Sequence, residues 1–78
     1  MKTANVTINN EKTFTVEFNF VQGAKSPDYK TDLENYNLYL NHEITINRAI
    51  CRIAGTENDK TNTITKKDGT IVTVTIND

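Results

Sequence analysis

The chain has 78 residues, 36% of them hydrophobic, and a net charge of −1 with both signs interspersed. That supports one domain with a thin core and lacks the basic stripe of a general nucleic-acid binder. A single cysteine excludes an intramolecular disulfide, and no apolar run approaches the roughly 20 residues of a membrane span.

Met1 to Asn5 leads straight into an alternating pattern without the apolar stretch of a secretory signal. A cytoplasmic protein is therefore expected. The abundance of Asn, Thr, Ile and Lys suits AT-rich coding sequence, as in low-GC bacteria and their phages.

From Ala4 to Val21 the chain alternates with period two. Val6 and Ile8 are followed by Phe14, Val16, Phe18 and Phe20, each separated by a polar residue. Such alternation predicts strands with one buried face. A three-residue loop, Asn10-Glu11-Lys12, keeps the apolar side chains on one face by placing Ile8 beside Phe14 and Val6 beside Val16. This defines a first hairpin over about 4–21.

The middle of the chain carries helical signals. Gln22 to Lys25 breaks the second strand, and Ser26-Pro27-Asp28 reads as N-cap, first helical position and acidic first turn. Tyr29, Leu33, Tyr36 and Leu40 follow at offsets of four, three and four. They predict a helix over about 27–40 whose inner face holds Leu33 and Tyr36. Tyr36, Leu38 and Leu40 also fit a short strand. Over about 43–54, Ile46, Ala49, Ile50 and Ile53 form a stronger helical face, with Gly55 placed as a C-cap glycine.

The end of the chain, about 61–77, predicts a second hairpin. Val72, Val74 and Ile76 alternate with Thr73 and Thr75. A three-residue loop with left-handed Gly69 pairs Ile64 with Val72. The expected fold is therefore α+β: a four-stranded antiparallel sheet from two hairpins, with one or two helices packed on one face. A small all-β barrel or sandwich is the alternative.

No catalytic centre is legible. On one helix, His42 and Cys51 lie nine residues apart, on opposite sides and roughly 13 Å apart along the axis. That separation excludes a nucleophilic dyad. Cys51 is expected as a small, semi-buried hydrophobe. Asp28 and Asp32 supply two hard oxygens where calcium needs six or more, and no Cys/His cluster suits zinc. Neither metal nor cofactor is expected, and the chain is read as a non-enzyme.

The expected partner-binding residues lie in the helical middle. Asp28, Asp32, Asn35, Tyr39 and His42 would share an outer stripe, with Glu34 and Glu43 nearby, and Tyr29, Tyr36 and Tyr39 all fall within eleven residues. Tyrosine is a frequent interface hot spot, and carboxylates beside it suit a basic groove on a partner. Arg48 and Arg52, four apart, form a small basic spot able to clamp a carboxylate or phosphate. The outer sheet face, rich in Thr7, Thr13, Thr15, Thr63, Thr65, Thr73 and Thr75, is the surface expected of exposed strands.

These features favour a non-enzymatic protein-interaction module with a protein partner and no membrane association. A concrete form is a phage or mobile-element inhibitor that binds and blocks a host defence protein. The first alternative is a nucleic-acid-binding regulator using Arg48, Arg52, Lys66 and Lys67 on phosphates. The second is a small virion or assembly subunit pairing through exposed strand edges.

Overall fold

A computed structural model of the chain describes residues 2–19, 23–27, 33–56 and 58–77, with the backbone alone over 23–27. The elements are β1 (Lys2–Ile8), β2 (Lys12–Asn19), β3 (Gly23–Pro27), α1 (Leu33–Ala54), β4 (Thr61–Thr65) and β5 (Ile71–Asn77). The strands form one antiparallel sheet in the order β3-β2-β1-β5-β4. The helix packs against it, giving the expected two-layer α+β architecture rather than a barrel or sandwich.

Both hairpins form, and they join through β1 and β5, with Val6 opposite Val74. The second has the expected register: Ile64 faces Val72, and Lys66 N–H donates to the Thr70 carbonyl at 2.8 Å. Gly69 takes a φ of +91° in the turn, a conformation that costs a side chain but not glycine. Asp68 secures the same turn by accepting from Thr70 N–H at 2.9 Å.

The first hairpin differs from expectation by two residues. Ile8 faces Lys12 and Val6 faces Phe14, so the loop is Asn9-Asn10-Glu11. Asn9 and Asn10 adopt φ of 53° and 60°, which asparagine tolerates better than Glu or Lys. Asn9 also extends the joint. Its N–H donates to the Ile71 carbonyl at 2.8 Å, and its Oδ1 accepts from Ile71 N–H at 2.9 Å.

The predicted helix start is overturned. Gly23–Pro27 is a fifth strand paired with β2, with a register irregularity beside Glu17 and Phe18. Ser26 and Pro27 therefore do not begin a helix. Proline is admissible there because β3 is an edge strand. The expected roles of Phe20, Val21, Gln22, Asp28, Tyr29 and Asp32 fall outside the described residues.

A single helix element replaces the two expected, interrupted at His42 by φ −124° and ψ 15°. Its inner face is Tyr39, Ile46, Ala49, Ile50 and Ile53, a run at offsets of seven, three, one and three. These side chains meet Ala4, Val6, Phe14, Val16, Phe18, Val72 and Val74 in one core, with Leu38 and Ile64 partly buried at its margin. Gly55 ends the helix without a left-handed φ. Its N–H donates to Cys51 and Arg52 carbonyls, and the Thr56 hydroxyl caps the Ile53 carbonyl at 2.9 Å.

The other face of the sheet is a polar mesh. Hydroxyl contacts link Thr7 with Thr13, Thr61 with Thr75 and Thr63 with Thr73 at 3.0–3.1 Å, and Thr15 donates to Asn5 Oδ1 at 3.1 Å. All four are cross-strand partners. The ladder fixes which pairs these are. Ile76 N–H donates to the Lys60 carbonyl and Lys66 N–H to Thr70. Asn62 and Ile64 therefore also aim their backbone groups at β5, while Thr61, Thr63 and Thr65 aim theirs away from the sheet. The threonine contacts of β4 thus occupy the non-hydrogen-bonded pairs, where side chains approach most closely.

Candidate functional site

The helix carries a second apolar row. Leu33, Tyr36, Leu40 and Ile44 lie at offsets of three, four and four, on the side opposite Ile46 and Ile53. Their exposures are 73%, 42%, 47% and 76%. A helix covering one sheet needs one apolar stripe. This one has two, and the outer one meets no core.

The expectation for the first half of the helix is therefore inverted. Leu33 and Tyr36 face out, whereas Tyr39, expected on the outer stripe, is 2% exposed and part of the core. The cause is continuity with the stronger half: the position seven residues before Ile46 shares its face, and that position is Tyr39. Burial, followed by the nearby Glu43 and Tyr36, pushes the Tyr39 hydroxyl up to about 12. Cys51 is exposed rather than semi-buried, because it continues the outer row seven residues beyond Ile44.

At its midpoint the outer row borders an open groove of about 530 Å³, between residues 40–48 of α1 and the β4–β5 turn. Leu40 and Ile44 give it an apolar wall, and Arg48, Lys66 and Lys67 line it with positive charge beside Glu43 and Asp68. His42 sits at the break in the helix, with its Nδ1 3.0 Å from Lys66 Nζ. Burial lowers the imidazole pKa below its usual value, the Lys66 charge lowers it further, and Asp68 opposes both. A neutral ring accepting from the ammonium fits these surroundings. The contact fixes Lys66 without neutralising it. The Asp68 carboxyl is held below its usual range, chiefly by the backbone N–H of Thr70.

Of the sequence-expected contact residues, the structure brings His42, Glu43 and Arg48 to this groove. Tyr36 stands on the outer row. Glu34 is exposed near its start, in an ion pair with Lys12. Arg52 is exposed in the last turn but does not line the groove. Tyr39 is removed from the surface altogether. Sequence reasoning missed Leu33, Leu40 and Ile44 as exposed residues. Extending the Ile46 face backward through the helix would have found them. It also left Lys66 and Lys67 apart from any protein-binding site, because only the tertiary fold places the turn beside α1.

Among the described residues no group of three or more His, Cys, Asp or Glu is placed to hold a metal ion, and no helix is long and apolar enough to cross a membrane. Family models, curated proteins and solved structures yield no match to the chain.

Proposed function

We propose that the chain is a non-enzymatic protein-binding module that acts by occupying a surface of a partner protein. The observation carrying this reading is the exposed row Leu33, Tyr36, Leu40 and Ile44, backed by a helix whose other face already fills the core. Covering one such aliphatic side chain returns about 1.5–3 kcal/mol, so a partner seated on several of them gains a substantial part of a specific affinity. Binding and blocking a target, as in an inhibitor, needs nothing beyond this surface.

The grouping of Arg48, Lys66 and Lys67 favours a second reading, a nucleic-acid-binding regulator. It is the weaker one, because phosphates would engage the cations and leave the exposed aliphatic side chains of Leu33, Leu40 and Ile44 uncovered. The test is affinity capture from a bacterial lysate with the wild-type chain, Leu40→Ser/Ile44→Asp and, as a sheet-face control, Thr65→Asp. A protein retained by the wild type and the control but lost with the double variant is expected. Equal recovery with all three, or recovery of nucleic acid alone, rejects the reading.

A further inference from the structure

The groove differs from the rest of the outer row in carrying charge whose sign predicts what it receives. Arg48, Lys66 and Lys67 line it, and the ion pair of Lys12 with Glu34 lies elsewhere on the surface. With Glu43 and Asp68 also in the lining, three cations against two carboxylates leave the groove one positive charge in excess. Lys66 is held by His42, a contact that orients the ammonium. The groove therefore offers oriented cations beside an aliphatic wall of Leu40 and Ile44.

We propose that this groove receives an acidic, aliphatic segment of a partner protein, its carboxylates meeting Arg48, Lys66 and Lys67 and its apolar side chains covering Leu40 and Ile44. The inference rests on the protein-binding reading and narrows it to one partner chemistry. A nucleic acid would use the cations and leave Ile44 uncovered. An anionic bilayer would meet a convex surface better than a groove. An acidic, aliphatic segment satisfies both components, with charge setting orientation and association rate and apolar contact holding the complex.

The experiment is selection of a random-peptide display library on the wild-type chain, on Arg48→Glu/Lys67→Glu and on Ile44→Ser. All three substituted residues are exposed, and thermal melts matching wild type confirm folding. The wild-type chain should enrich peptides with Asp or Glu adjacent to Leu or Ile. Their affinity should fall at least tenfold on the charge-reversed chain and on Ile44→Ser, and weaken as salt is raised. Peptides lost on Ile44→Ser but lacking acidic bias and retained by the charge-reversed chain overturn this proposal and leave the protein-binding reading intact. Absence of any peptide sensitive to either variant removes both. Retention of single-stranded DNA or phosphatidylserine vesicles by the wild-type chain, without acidic peptides, overturns the assignment in favour of those surfaces.

Discussion

Two tyrosines three residues apart have opposite roles, and their substitutions should separate stability from binding. Tyr39 is buried in the core and Tyr36 is 42% exposed. Tyr39→Ala should cost about 3–5 kcal/mol, whereas Tyr36→Ala should stay within about 0.5–1 kcal/mol of wild type. Urea titrations of both variants check this, and similar midpoints would reverse the assignment of the two faces. His42 supplies a second residue-scale test. Its folded pKa lies below its ordinary 6.5, first through burial and then through Lys66. Near and below pH 6.5 the unfolded chain therefore binds more protons at this site than the folded one. Stability linked to His42 is complete above about pH 6.5 and is lost as pH falls from there through the lower folded pKa. His42→Gln should flatten the difference between melts at pH 7.5 and pH 5. An unchanged difference would show that this ring is not the titrating group.

At the scale of elements, the two described turn glycines behave differently. Gly69 has φ +91° in the β4–β5 turn, whereas Gly55 follows α1 without a positive φ. A Cβ at Gly55 would meet the Arg52 and Cys51 carbonyl oxygens at 3.6 and 3.7 Å, ordinary contact distances. Gly55→Ala should therefore stabilise by about 0.4–1 kcal/mol, while Gly69→Ala should cost about 1–2 kcal/mol. A differential denaturation of the pair checks both signs. Helix ends and turns thus look alike as glycines in a sequence, and the backbone angle tells them apart. The same lesson applies to the other elements. Period two gave the buried face of both hairpins, but it is unchanged by a slip of two residues. The first hairpin took the slipped register because Asn9 and Asn10 accept positive φ. The helix carries two apolar stripes, so periodicity found Leu33, Tyr36 and Leu40 as a stripe while leaving its direction undetermined. Only the core contacts of Ile46, Ile50 and Ile53 select Tyr39 as the inner residue.

For the whole molecule, what alternation cannot encode is which strand lies beside which. It records the face each residue presents, and the order β3-β2-β1-β5-β4 puts the two ends of the described chain at the centre of the sheet. Thr3 faces Asn77 and Val6 faces Val74 across that joint, so the most enclosed pairing is also among the most distant in sequence. Such a pairing closes a long loop and forms only when both hairpins are present. It follows that the joint cannot open while the rest of the fold persists. The β4 edge can, because α1 and β5 still cover the core when a short edge strand frays. Hydrogen exchange should therefore grade across the sheet. Amides of Thr7, Thr73 and Thr75, which face the joint, should exchange with the free energy of global unfolding. Those of Asn62 and Ile64, bonded only toward β5, should exchange through a smaller local opening, and the outward amides of Thr61, Thr63 and Thr65 should be close to unprotected. Native-state exchange followed by NMR at low denaturant measures all three classes. Joint amides that exchange more readily than those of Asn62 and Ile64 would mean that the two hairpins separate before the edge frays, and that the centre of this sheet is its weakest seam.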